Sequence, residues 1–204
     1  MMGKEHPMVA INPMRVPGSW RLGYVLDYHT LRSDFLGYDA YGHPMFDTKR
    51  SEIGDLLYKL KYRGNQSVLN TIADTAAEFL RSWNPRIDAI VPVPPTRTNR
   101  IYQPVTEVAK ALSARLSVPI RSGYVIKTKA TPELKSVYDY NTRLRLLEDA
   151  FEIQDQSLEA KSVLLFDDLY RSGATLTAIT DILYSKAKVA DVYVFALTRT
   201  RSAS

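Results

Sequence analysis

The segment Val163-Leu164-Leu165-Phe166-Asp167-Asp168-Leu169-Tyr170-Arg171-Ser172-Gly173-Ala174-Thr175-Leu176 constrains the fold more than any other stretch of the chain. It reads as an apolar strand, two carboxylates, a turn of small side chains and the start of a helix. A strand running into a helix is the repeating unit of α/β sheets, where ligands bind beyond the carboxyl ends of the strands. Asp167 and Asp168 fall at that place. Ser172-Gly173-Ala174-Thr175 has small side chains, so backbone amides can approach an anion closely. Ser172 and Thr175 add hydroxyls, and the helix aims its positive dipole end at the same spot. Carboxylates beside an anion cradle fit one ligand carrying both a phosphate and a diol, because carboxylates accept hydrogen bonds from hydroxyls. A plain strand–turn–helix with an Asp cap is the competing reading.

The rest of the chain alternates in the way such a sheet requires. Leu56, Leu57 and Leu60 sit at helical spacing, and Lys61-Tyr62-Arg63-Gly64-Asn65 reads as a helix stop. Leu69, Ile72, Ala73, Ala76, Phe79 and Leu80 form an apolar helical stripe ended by Asn84-Pro85. Ile87 to Val93 reads as a short buried strand stopped by Pro94-Pro95. Val105, Val108, Ala109, Leu112 and Leu116 form a further stripe, Pro119 to Lys127 a strand, and Glu133 to Arg145 a mobile loop or hairpin. Ser162 to Phe166 and Asp191 to Thr198 read as strands, with a helix starting near Ala174 between them. The fold class is therefore α/β, a parallel sheet flanked by helices. Residues 1–50 are rich in Pro, Gly, Tyr and Asp and are expected to form an irregular or short-stranded cap. Residues 51–204 form one compact unit.

Composition narrows the chemistry. The 204 residues include no cysteine, which excludes disulfides and thiolate-bound zinc. His6, His29 and His43 lie far apart, which argues against a protein-built transition-metal site. No apolar run reaches membrane-spanning length, and no secretory signal is visible, so the expected location is cytoplasmic, away from membranes. The formal charge is +5, yet Arg97 to Arg145 holds ten Lys and Arg against three acids, a local balance of +7. Such a field suits a polyphosphate or a nucleic acid, and equally a solvated surface.

Val163 to Leu176 resembles the signature of type I phosphoribosyltransferases. More narrowly, the chain resembles the competence-associated ComF-like branch from about Tyr58 to Thr198. Supporting matches are Lys59-Leu60-Lys61-Tyr62-Arg63-Gly64-Asn65, Val91-Pro92-Val93-Pro94-Pro95, and the spacing of Glu133-Leu134, Asn141 and Ala150-Phe151. Two features depart from that pattern. The cysteine zinc ribbon carried by many ComF-like proteins is missing, and Arg171 stands where a small residue or Thr is common.

The resemblance implies phosphoribosyl pyrophosphate as donor and an unidentified nitrogen base or amine as acceptor. Asp167 and Asp168 would hold the ribose hydroxyls. Arg171, Ser172, Gly173, Ala174 and Thr175 would cradle the 5-phosphate. Pro95, Thr96 and Arg97 would hold pyrophosphate with Lys129, and Lys127 would assist departure from a loop. Mg²⁺ would be held by substrate and water rather than directly by the protein. Lys59, Lys61 and Arg63 are read as a basic helix end. Tyr138, Tyr140 and Arg143 suit a lid or a surface hairpin. Tyr24, Tyr28, Tyr38, Tyr41 and Phe46 suit either an acceptor-selecting hood or a packed cap. Other readings stay open: a non-catalytic phosphoribosyl pyrophosphate sensor, or a competence accessory protein contacting single-stranded DNA or competence proteins through the +7 stretch. A homodimer is compatible with any of them. An aspartate-nucleophile phosphatase fits less well, because the acids are adjacent and late in the chain.

Overall fold

Strands with apolar side chains on both faces must be covered on both, and that requirement organises this molecule. The computed structural model describes residues 7–95, 102–129 and 139–201. Nine strands occur among them: β1 (Met14–Arg15), β2 (Leu22–Tyr28), β3 (Thr30–Tyr38), β4 (Pro44–Arg50), β5 (Ala89–Pro92), β6 (Val125–Lys127), β7 (Phe151–Ile153), β8 (Ser162–Tyr170) and β9 (Asp191–Arg199). The helices are α1 (Glu52–Tyr62), α2 (Leu69–Trp83), α3 (Pro104–Leu116), α4 (Tyr140–Leu147) and α5 (Ala174–Ser185), with a short 3-10 turn at Gln66–Val68. The central sheet has the order β1-β2-β9-β8-β5, and only β1 runs antiparallel to its neighbour.

Alternate residues of β8 and β9 feed two separate cores. Val163, Leu165, Val192, Val194 and Ala196 pack with Leu176, Ile179 and Leu183 of α5. Leu164, Phe166, Phe195 and Leu197 pack with Leu57, Leu60, Ile72, Ala76 and Leu112 of α1 to α3. At the far end of β8 this alternation sends Asp167 toward the α5 side and Asp168 toward the α1 side.

The elements answer to local chemistry. Ser51 caps α1 by accepting from the Gly54 amide at 3.0 Å and donating to the Tyr28 carbonyl at 2.5 Å. A Cβ at Gly54 would run into the His29 carbonyl oxygen, so only glycine lets α1 start against the end of β2. Helix α2 ends where Asn84 turns left-handed at φ 51°, just before Pro85.

Several expectations need correction. The segment expected to be an irregular or short-stranded cap contributes β1 and β2 to the central sheet, with β2 parallel to β9 over Leu22 to Tyr28. Of the strands in residues 1–50, β3 and β4 stand outside that sheet as a hairpin. Pro119 to Lys127 is not one strand; Ile120 makes an isolated bridge to Ile90, and β6 forms a ribbon with β7. Of Glu133 to Arg145, residues 133–138 lie outside the described residues, and the remainder belongs to α4 with Asp139 as its cap. Strand β8 also runs through the acid pair to Tyr170 rather than ending at Phe166.

Candidate functional site

Where β8 passes into α5, residues 169–176 wrap a pocket of about 70 Å³ together with Asp167 and Arg143. Gly173 closes the turn at φ 79° and serves as the cap of α5. Among the described residues, the amides of Ser172, Gly173, Thr175 and Leu176 have no protein acceptor, as expected for the first turn of a helix. They lie at the positive end of α5, the kind of place where a helix N-terminus can hold an anion.

The two carboxylates sit differently although they adjoin. Asp167 lines the pocket, and its Oδ1 accepts from the Asp168 amide at 2.8 Å. Burial, and then the Asp168 charge, push the Asp167 carboxyl up to about 7. Asp168 is 7% exposed, and its Oδ2 meets Lys61 Nζ at 2.8 Å. Burial pulls the Lys61 ammonium down, but the Asp168 carboxylate prevails and holds it above its ordinary value. Thr198 donates to the Asp168 carbonyl at 3.2 Å and ties the end of β9 to this point.

The raised Asp167 pKa has a pH consequence. Its folded value lies above the unfolded one, so its contribution to stability is complete below about pH 4 and is lost as pH rises through about 7. Asp167→Asn should therefore abolish a fall in stability of about 4 kcal/mol between pH 4 and pH 8. Thermal melts of both proteins across that range check this. Parallel curves would show that Asp167 is not held in its acid form.

The remaining expected residues are spread over two further places. Pro95 follows β5, next to the end of β8, and the Val93 amide continues the pairing by donating to the Phe166 carbonyl at 2.8 Å. Thr96 and Arg97 lie outside the described residues. Lys127 ends β6, and burial lowers its ammonium pKa. Lys129 reaches the Glu148 carbonyl at 3.4 Å and Asp149 at 3.7 Å. Neither lysine lines the pocket at the start of α5. Of the lid candidates, Arg143 lines the pocket, the Tyr140 hydroxyl lies 3.2 Å from that of Thr177, and Tyr138 is outside the described residues.

Sequence reasoning missed the role of Lys61, which was read as part of a basic helix end. A signal was present: Ile53, Leu57 and Lys61 recur at i, i+4 and i+8, which places the lysine on the buried stripe of α1. The aromatic group divides. Tyr24 packs edge-on against Trp83 at 4.9 Å, whereas Tyr38, Tyr41 and Phe46 stand exposed on the β3–β4 hairpin. Among the described residues, no group of three or more His, Asp or Glu side chains could hold a metal ion. No described helix is long and apolar enough to cross a membrane.

No family model matches the chain. The competence protein ComFC of Bacillus subtilis is 27% identical over 147 residues, covering 72% of this chain. In sequence the chain is similar to that competence protein over most of its length. It spans 59% of the length of that relative. Among solved structures, adenine phosphoribosyltransferase from Saccharomyces cerevisiae matches with TM-score 0.45 and 16% identity, over 82% of this chain and 85% of that one. A hypothetical protein from Neisseria gonorrhoeae with bound ppGpp matches with TM-score 0.42 and 17% identity, over 68% and 71% of the two chains.

Proposed function

We propose that the chain binds phosphoribosyl pyrophosphate at the carboxyl edge of its sheet and transfers the phosphoribosyl group to a nitrogen acceptor, releasing pyrophosphate. The observation that carries this reading is the pocket itself. A continuous turn of small residues presents unpaired amides beside Asp167, so one site offers an anion cradle and a hydroxyl acceptor. In this reading residues 171–175 hold the 5-phosphate, and Asp167 and Asp168 orient the ribose hydroxyls. Pro95, Thr96, Arg97 and Lys129 receive pyrophosphate, and Lys127 offsets its charge as it leaves.

The acceptor nitrogen bonds to the anomeric carbon as the bond to pyrophosphate breaks. The carbon becomes cation-like, so positioning and electrostatics supply the catalysis without a protein nucleophile. The donor set fits Mg²⁺ held by substrate and water. Two carboxylates adjoin the site and Lys61 already occupies one of them, which is too few oxygens for an all-protein octahedral cage. When bound, the ion neutralises charge on the pyrophosphate.

A second reading, binding without turnover, draws on the Lys61–Asp168 pair, because one of the two acids is already neutralised. The relative's name supports a competence role. Its DNA-contacting form has one cation fewer than the +7 stretch suggests, since Arg115 pairs with Asp74 from outside that stretch. The discriminating experiment follows pyrophosphate release from phosphoribosyl pyrophosphate and Mg²⁺ over a panel of nitrogen acceptors. Release with any acceptor supports the transferase; binding with no release over the panel supports the sensor.

A further inference from the structure

The β2–β9 side of the same edge carries more positive charge than the donor needs. Arg199 lies opposite both Tyr28 and Tyr170 in the strand register, and its guanidinium is 5.7 Å from each ring centre. Arg201 approaches the Tyr28 ring at 5.1 Å, and Arg50 covers the Tyr58 ring at 3.9 Å. Among the described residues, none of these three arginines pairs with a carboxylate. The Nε atoms of Arg50 and Arg199 are buried and have no hydrogen-bond partner, a costly state for a charged donor. His29, half-buried in the same cluster, is pushed down by burial and then by the charges of Lys61 and Arg50. The local field is therefore positive even though Asp168 is nearby.

The donor's own anions are answered elsewhere, the 5-phosphate by the β8–α5 turn and pyrophosphate on the β5 side. We propose that Arg50, Arg199 and Arg201 bind an oxyanion group carried by the acceptor, so that the acceptor is a carboxylic acid or a phosphate ester rather than a neutral base. This rests on the phosphoribosyl pyrophosphate reading of the loop. The geometry suits it, because β9 lies between β2 and β8 and adjacent strands are spaced about 4.8 Å apart. A ring-sized acceptor can thus place its anion on the arginines and its nitrogen over the ribose. Arginine forks match carboxylate and phosphate equally.

The test is calorimetry on the full chain saturated with phosphoribosyl pyrophosphate and Mg²⁺, using matched pairs. Orotate is compared with uracil and nicotinate with nicotinamide for a carboxylate, and phenyl phosphate with phenol for a phosphate. At least one anionic member should bind about tenfold or more tightly than its neutral partner. Arg199→Gln and Arg50→Gln, each checked for folding by melting, should erase that preference and leave donor affinity within about twofold. Equal behaviour within every pair, including no binding by either member, overturns the inference, as does a loss of donor affinity in the arginine variants. Failure of the wild type to bind the donor at all would instead overturn the reading of the loop.

Discussion

Replacing Lys61 with methionine should destabilise the chain by about 3–5 kcal/mol, because it leaves the Asp168 carboxylate buried without its cation. The two side chains are 18% and 10% exposed, so water replaces little of what is lost. For a chain of this size the melting temperature should fall by roughly 10 °C. The double variant Lys61→Met/Asp168→Asn should recover much of the loss, since an unpaired buried charge costs more than a missing pair. A double-mutant cycle in urea measures the coupling directly. A single-variant loss below about 1 kcal/mol would mean that the pair behaves like an exposed one.

Gly173→Val should lower affinity for phosphoribosyl pyrophosphate by about a hundredfold or more, through two separate effects. The φ of 79° at Gly173 is strained for any L side chain, most of all a β-branched one. A Cβ there would also stand 2.8 Å from the Tyr170 hydroxyl oxygen, and that hydroxyl donates to the Pro17 carbonyl at 3.4 Å. The turn must open, which moves the donor amides of Ser172 and Thr175. The milder Gly173→Ala separates the causes. Adding Tyr170→Phe removes the nearest clashing atom and should restore part of the affinity, leaving the backbone strain. Full recovery in Gly173→Ala/Tyr170→Phe would show that the clash alone matters, and unchanged affinity in Gly173→Val would show that the turn does not hold the donor.

Features encoded in consecutive residues were legible in the sequence. The start of α5 at Ala174 follows from a glycine in the only conformation that closes this turn, and the strand before it from an unbroken apolar run. The end of α2 at Asn84-Pro85 was readable for the same reason. What escaped was long-range. Strand β2 carries Gly23, Asp27 and two tyrosines, and it is a strand because β9 offers it a parallel partner. Its Tyr24 suited either an acceptor-selecting hood or a packed cap, and tertiary packing places it against Phe79 and Trp83. The Lys61–Asp168 pair joins residues far apart in sequence, and its trace was a lysine on a buried helical stripe. Part of the +7 stretch proved to be internal structure, with Arg115 bonded to Asp74 and Asn70.

The position of the acids also refined the chemistry. Adjacent residues on a strand face opposite sides, so Asp167 lines the pocket at the start of α5 while Asp168 turns toward α1. A ribose lying across the end of β8 could meet both, but their contributions should differ. Asp167 acts from within the pocket, near its titration point, and Asp168 acts as part of an ion pair.

The most direct test of the account is calorimetric titration of phosphoribosyl pyrophosphate with Mg²⁺ into the wild type, Asp167→Asn and Asp168→Asn. The account predicts a single saturable site in the wild type and a loss of at least about tenfold in Asp167→Asn, the size of a lost hydrogen-bonding pair to a charged group. Asp168→Asn should also weaken binding, by less. Equal affinity in all three proteins would contradict the placement of the donor at the end of β8.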